Sequence, residues 1–283
     1  MNDIWVCGTC HSINRRRAGH CYGCGAAQVT AATGEMATVR QEQAILNRTV
    51  VAYRPAAALG LGAALFLLGL AVVSIAGVVD TIGLSSFLDT QLDGVEATGR
   101  FNDVAITARL TESGRLGLVS LAIVLPALLF FGLWLGRVVA NVPALGGGLP
   151  RTTPTRAFVS TLIPILNLRT VPGIVQDVLY RLDPTGGGIF MVGIAWVGLV
   201  GSWILSFAAD KYLQLRITFD AFNATSVGAF VSSIRQLLTA AVVIDVITGA
   251  LIAIGAIVLI MLIVRIERRS RARDREIRAF AGV

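Results

Sequence analysis

The chain has 283 residues, of which 55% are hydrophobic and only 14% are charged. Its mean hydropathy is +0.74. A soluble domain carries about 25% charged residues, so the composition excludes an ordinary soluble protein. The net charge of +7 would indicate a nucleic-acid partner in a soluble chain. Here the cations are instead distributed along the chain in a way that predicts membrane topology.

Four apolar runs are each long enough to cross a hydrocarbon core of about 30 Å, which takes roughly 20 helical residues. None of them alternates as a spanning β-strand would. We therefore predict an all-α integral membrane protein, with a four-helix domain over residues 55–270 in contact with the lipid bilayer. The predicted spans are residues 56–79, 116–136, 188–209 and 237–264.

Arginine is concentrated in three segments: the first 54 residues, the middle segment 137–185, and the end of the chain from residue 265. The segments 80–115 and 210–236 carry far fewer cations and are predicted to be outer loops. By the positive-inside rule, both termini and the middle segment are cytoplasmic. The first 54 residues contain no apolar stretch that predicts a cleavable signal peptide. We expect a multi-pass protein of a bacterial plasma membrane, with residues 271–283 as a basic tail.

Residues 1–25 predict a small zinc ribbon, followed by a linker over residues 26–54. Two Cys-x2-Cys pairs place four thiolates in the tetrahedral set that Zn²⁺ prefers. Cysteines on the cytoplasmic side stay reduced and available to metal. So short a segment needs the metal in order to fold, so the zinc is structural. The predicted ligands are Cys7, Cys10, Cys21 and Cys24, with Trp5 and Asn14 packing the module.

The pattern of one Trp, four Cys and one Asn resembles the Ran-binding-protein-type zinc finger. That family binds single-stranded RNA or ubiquitin. The ubiquitin-binding members use a Thr-Phe pair where this chain has His11-Ser12. The RNA-binding members use a stacking aromatic where this chain has Arg15, although Arg17 falls where they carry an arginine. A docking module for a cytoplasmic protein is therefore favoured over nucleic-acid binding.

The middle segment contains two further features. Residues 157–166 are apolar but too short to cross, so they are expected to lie in the membrane interface or dip part-way into it. After Pro172, apolar residues recur with the 3.6-residue period of a helix. This pattern predicts an interfacial amphipathic helix lying along the membrane surface. The apolar positions are Ile174, Val175, Val178, Leu179 and Leu182.

The same segment resembles a bacterial membrane family known as domain of unknown function 4328, over roughly residues 55–270. Members of that family have an arginine after the second span, then a Pro-x-x-Asn-Leu run with a proline shortly after it. Some carry an N-terminal zinc ribbon. The resemblance implies a four-span protein and no particular activity. The motif residues in this chain are Arg137, Pro164, Asn167, Leu168 and Pro172.

Asp245 is the only ionisable residue within any of the four runs. An acid inside a membrane helix is a candidate functional residue, for proton or cation handling. Because the run 237–264 exceeds the length needed to cross, the favoured interpretation is that Asp245 lies near the outer interface or is bonded to a helix. The acidic residues of segment 80–115 are interpreted as a solvated face rather than a cation site.

No catalytic set of side chains is visible, so we do not expect an enzyme. The first hypothesis is a membrane-anchored interaction or regulatory protein whose zinc ribbon docks a cytoplasmic protein, while the bundle anchors it or forms a homo-oligomer. The second is a small transporter or channel subunit that uses Asp245 and the middle segment. The third is a membrane-tethered RNA-binding zinc finger.

Overall fold

The computed structural model describes residues 4–7, 13–15, 20–21, 23, 53–100, 102–183 and 188–281. Two short strands, β1 (Ile4–Val6) and β2 (Ile13–Arg15), pair antiparallel with Trp5 opposite Asn14. Most of the rest of the described chain is helical. The elements are α1 (Ala57–Thr98), α2 (Asp103–Asn141), α3 (Pro154–Leu162), α4 (Pro164–Leu182), α5 (Gly188–Trp196), a π-helical turn (Val197–Gly201), α6 (Ser202–Asn223) and α7 (Val227–Ala281).

Four helical stretches are long and apolar enough to cross a membrane, which confirms the predicted multi-pass helical protein. They are Ala57–Thr98, Asp103–Asn141, Gly188–Asp220 and Val227–Ala279. Such helices bury few of their apolar side chains inside the protein, and their exposed apolar surface contacts the lipid bilayer. In the most apolar 18-residue stretch of each helix, the buried share is 17% in α1 and α2 and 44% in α7. Helix α7 is therefore the most enclosed of the four.

The segments predicted as outer loops are largely helical instead. At 1.5 Å per residue, the 42 residues of α1 reach about 63 Å, roughly twice the hydrocarbon thickness. Helix α1 continues to Thr98 and ends at Gly99, whose φ of +69° is the left-handed conformation that terminates helices. The Gly99 N–H donates to the Val95 carbonyl at 2.7 Å. In the described part of these segments, the non-helical residues are 99, 100, 102 and 224–226.

The chain forms two compact units. The first unit comprises Met1–Gly60, Phe130–Ile189 and Val264–Val283, and the second comprises Leu61–Leu129 and Phe190–Ile263. The first unit contains the end of α2, helices α3 and α4, and the end of α7. The second unit contains the larger part of α1, α2 and α7, together with the π-helical turn and α6.

The core of the first unit contains Trp134 and Val138 of α2 and the apolar stripe of α4. The five predicted stripe positions of α4 are all buried, with exposures of 0–6%, so the predicted helical periodicity is confirmed. The stripe faces protein, however, where the sequence predicted that it would face lipid. The helix also begins at Pro164 rather than after Pro172, because proline is tolerated at the first helical position.

Helices α3 and α4 meet at a sharp break at Ile163, whose backbone is extended. The break removes the helical partner of the Thr161 carbonyl. Asn167 replaces that partner, since its Nδ2 donates to the Thr161 carbonyl at 3.0 Å. The Pro-x-x-Asn pattern therefore encodes a helix start and a side chain that stabilises the break. Around it, Val159, Leu162, Ile163, Leu166 and Leu168 are exposed by 38–41% and form an apolar elbow.

Close helix crossings in the second unit depend on glycine. A Cβ at Gly198, in the π-helical turn, would lie 2.6 Å from the Leu251 carbonyl oxygen and 2.7 Å from the Gly255 Cα. Helix α7 also passes α1 at Gly249, where an added Cβ would lie 2.5 Å from a methyl group of Val78. Small residues let helices approach closely in lipid, where packing replaces the hydrophobic effect as the driving force.

Beyond these crossings, the second unit has a small apolar core of its own. Leu92 and Val95 of α1 pack with Val231 of α7. On its surface, the Arg235 guanidinium forms ion pairs with Asp89, Asp93 and Glu96. The parts of α1 and α7 that extend beyond the predicted spans are therefore held together by apolar contacts and by opposite charges.

Candidate functional site: a polar pocket among the membrane helices

The second unit contains an open polar pocket of about 450 Å³. Residues of α1, α2, α6 and α7 line it. Apolar and small side chains such as Val73, Gly77 and Leu116 form part of the wall. The rest of the lining is hydroxyl and carboxylate groups, which is unusual beside helices this apolar. These polar residues are Ser74, Asp80, Thr81, Ser113, Ser120, Ser206, Asp245 and Thr248.

Asp80 has its charge neutralised inside the unit. Its Oδ1 accepts a hydrogen bond from Arg109 Nη2 at 2.6 Å, and its Oδ2 accepts one from Ser113 Oγ at 2.5 Å. The two charged side chains are only 17% and 21% exposed. Charge-assisted hydrogen bonds of this kind hold a partly buried carboxylate in its ionised form. Asp80 is therefore a fixed, paired element of the pocket wall.

Asp245 differs from Asp80 because it has no cationic partner among the described residues. Its Oδ2 accepts a hydrogen bond from Thr81 Oγ1 at 2.8 Å. Thr248, which is 4% exposed, donates from Oγ1 to the main-chain carbonyl of Asp245 at 3.2 Å. The Thr81 hydroxyl orients the Asp245 carboxylate, but it does not cancel its charge.

Two hydroxyl groups of the wall remain available to a ligand. A serine within a helix commonly bonds back to its own helix, as Ser74 does by donating to the Leu70 carbonyl at 2.8 Å. Ser120 and Ser206 are half-buried and have no hydrogen-bond partner in the part of the chain that the structure describes. A half-buried hydroxyl without a protein partner is satisfied by water or by a bound group.

The sequence identified Asp245 but missed the rest of this site. Asp80 was grouped with the acidic residues of the outer segment, and Arg109 with its few cations. Two local signals were present. Asp80 follows the first apolar run directly, and Arg109 and Ser113 are four residues apart, which places them on one face of a helix. The pairing of that face with Asp80 is a contact between helices, which no local pattern reveals.

The remaining acids of α1 do not form a cation site. Asp89, Asp93 and Glu96 are 55–67% exposed, and Arg235 lies among them, with its Nε at 2.9 Å from Asp89 Oδ1. Their negative charge is thus compensated by the Arg235 guanidinium.

The structure describes only two of the four predicted zinc ligands and does not show the predicted zinc ribbon. Cys7 and Cys21 are 1% and 3% exposed. Cys21 Sγ accepts hydrogen bonds from Asn14 Nδ2 at 3.5 Å and from the Gly23 N–H at 3.3 Å. Hydrogen bonds to sulfur stabilise a thiolate ligand and fix its orientation. Cys10 and Cys24 lie outside the described residues, and within the described ranges no three Cys, His, Asp or Glu side chains form a metal site.

The motif residues lie in the first unit. Arg137 of α2 is half-buried, and Pro172 lies inside α4. One turn before Arg137, Trp134 is fully buried and donates from Nε1 to Glu267 Oε1 at 2.9 Å. Burial raises the pKa of the Tyr53 phenol above its ordinary value, and the Glu267 and Asp274 carboxylates raise it further.

Together these features define a multi-pass helical membrane protein with a polar pocket in one of its two units. The family model "Domain of unknown function (DUF4328)" matches residues 101–268, more than half of the chain. The chain belongs to this family. The match includes Ser113 and Asp245 of the pocket and all five motif residues. No curated protein and no solved structure matches the chain.

Proposed function

We propose that the chain is a small transporter or channel subunit, and that the pocket at Asp245 is its ligand site. The observation that carries this proposal is the Asp245 carboxylate, which has no cationic partner among the described residues and lies in a cavity of about 450 Å³ lined by four membrane helices. Ionisable groups among membrane helices are costly and mark ion or solute pathways. A purely structural bundle gains nothing from such a cavity.

The proposed placement is a bacterial plasma membrane with both termini in the cytoplasm, following the distribution of arginine. The pocket would then lie toward the outer side. On α6, the exposed rings of Trp203 and Phe207 stack at 6.3 Å, and the Lys211 ammonium lies 5.8 Å from the Phe207 ring centre. Aromatic rings followed by a cation are typical of the membrane–water boundary. Ser206 lies at that level, so the pocket would be reachable from water.

Flux measurements in proteoliposomes test the proposal. Asp245→Asn preserves the size of the side chain and removes its charge. We expect it to reduce ion or solute flux by at least about tenfold, since a single charge in a partly buried site contributes more than 1.4 kcal/mol. Asp210→Asn is the matched control, because Asp210 lies on α6 and is 57% exposed. Equal flux in wild type and Asp245→Asn would refute the proposal.

A second, compatible role is a docking module in the zinc ribbon. It is favoured by the burial of Cys7 and Cys21 and by the hydrogen bonds to the Cys21 sulfur. In this role the ribbon binds a cytoplasmic protein and the helices anchor it, without enzymatic activity.

Metal analysis of the purified full chain tests this role. We expect about one zinc per chain, since four Cys ligands complete a single tetrahedral shell. Cys7→Ser/Cys21→Ser should lose the zinc and any protein that co-purifies from native membranes, with the helices still inserted. His20→Ala, which alters an exposed residue beside Cys21, should retain both. A partner retained by the double cysteine variant would count against docking through the ribbon.

A further inference from the structure

The charge balance of the pocket defines the kind of ligand it takes. Two carboxylates line the pocket, and Arg109 neutralises one of them by bonding to Asp80. One negative charge remains, on Asp245. A site in a low-dielectric surrounding binds most tightly a ligand that brings its net charge close to zero. The pocket is therefore matched to a single positive charge.

A divalent cation is a poor match. Ca²⁺ takes six to eight oxygen ligands and is usually bound by several carboxylates. Here the second carboxylate already accepts hydrogen bonds on both oxygens, from Arg109 and from Ser113. A divalent ion drawn to Asp80 would also be repelled by the guanidinium. An anion is excluded more strongly, because the Arg109 guanidinium is engaged with Asp80, and Asp245 would repel the anion.

The available ligands are neutral hydroxyl oxygens around one carboxylate. The Thr81 hydroxyl donates a hydrogen bond to Asp245, and the lone pairs of its oxygen remain free to face a cation. Ser120 and Ser206, from α2 and α6, add two hydroxyl oxygens without protein partners in the described chain. Three helices besides α7 thus offer oxygen atoms to the same cavity. Its volume leaves room for waters that complete the coordination shell.

We propose that the pocket binds one monovalent cation of the Na⁺ or K⁺ type, with the Asp245 carboxylate as its charged ligand and the hydroxyls of Thr81, Ser120 and Ser206 beside it. This inference rests on the proposed function, because it names the ligand class of the same site. It assigns Asp80 and Arg109 a positioning role: their ion pair holds α1 to α2 and fixes the net charge of the pocket.

The binding test uses the purified full chain in lipid nanodiscs, with radioactive ²²Na⁺ or ⁸⁶Rb⁺ as the probe. We expect saturable binding of one ion per chain, displaced by unlabelled Na⁺ or K⁺ and not displaced more effectively by Ca²⁺. Asp245→Asn should weaken binding at least about tenfold through the lost charge. Ser120→Ala/Ser206→Ala should weaken it by about threefold to tenfold through two lost polar ligands. Asp210→Asn should bind like wild type.

Asp245→Glu keeps the charge and distinguishes lost charge from misfolding, because it should retain more binding than Asp245→Asn. Absence of saturable binding, or binding that Asp245→Asn leaves unchanged, would overturn the inference. Displacement by Ca²⁺ at far lower concentration than by Na⁺ and K⁺ would also overturn it. Flux without cation binding would overturn the inference and leave the proposed function standing. Cation binding without flux would support the inference and overturn the proposed function.

Discussion

Replacing Gly198 with alanine is expected to destabilise the second unit severely. The added methyl group would lie 2.6 Å from the Leu251 carbonyl oxygen and 2.7 Å from the Gly255 Cα. Both are backbone atoms, so no side chain can rotate away and the helices must separate. Overpacking of this kind typically costs about 1–3 kcal/mol, and more where backbone has to move. Thermal unfolding in detergent, followed by size-exclusion chromatography, measures the loss.

Gly193→Ala is the matched control for this prediction. Gly193 lies on α5, one turn before the π-helical turn, and a Cβ there meets no atom within 4 Å. Alanine also favours helix by about 0.5–1 kcal/mol over glycine. Gly193→Ala should therefore unfold at or above the wild-type temperature. If Gly198→Ala unfolds at the same temperature as Gly193→Ala, the close crossing of the π-helical turn and α7 is wrong.

Replacing Trp134 is expected to have the largest effect in the first unit. Its side chain is 0% exposed and donates to Glu267, which is itself 8% exposed. Trp134→Ala removes a large core side chain, at a cost of about 3–5 kcal/mol. Trp134→Phe keeps much of the ring but removes the donor. The second oxygen of Glu267 has no hydrogen-bond partner within the described ranges, so this variant leaves a buried carboxylate unsatisfied at about 1–3 kcal/mol or more.

A double-mutant cycle isolates that interaction. Trp134→Phe/Glu267→Leu removes the donor and the acceptor together, so it should be more stable than Trp134→Phe alone. Glu267→Gln keeps an acceptor for Trp134 and should stay close to wild type. Chemical unfolding of wild type, Trp134→Phe, Glu267→Leu and the double variant, followed by a probe independent of tryptophan, measures the four stabilities of the cycle. Strict additivity of the two single changes would show that the two side chains do not interact.

Much of the membrane architecture could be predicted because its causes are local. The length of an apolar run decides whether it can cross, and the 3.6-residue spacing of Val175, Val178 and Leu182 required a helix with one apolar face. Whether this apolar face contacts lipid or protein depends on which element packs against it. A stripe of valine and leucine suits lipid and protein core equally, so the sequence assigned α4 to the membrane surface whereas the structure buries its stripe.

Two features were missed for a related reason: the pocket, and the helical extensions of α1 and α7 beyond the predicted spans. Their polar residues are spaced for a helix, but a polar segment between two spans has no apolar stripe by which a helix is recognised. Leu92 and Val95 pack on Val231, which is distant in sequence. Likewise, Asp80 acquires its role from Arg109 on another helix, and Asp245 stands out because it has no such partner in the described part of the chain. Contacts between helices, rather than local patterns, create the site.

The most direct test of the proposed site asks whether water reaches the pocket and whether the pocket carries a net negative charge. In a variant whose four native cysteines are serine, Ser206→Cys places one thiol on the pocket wall. The protein in nanodiscs is then treated with cationic and anionic methanethiosulfonate reagents of similar size. We predict faster labelling by the cationic reagent, and loss of this preference when Asp245→Asn is added. Equal rates with both reagents in the presence of Asp245, or no labelling by either, would contradict the account.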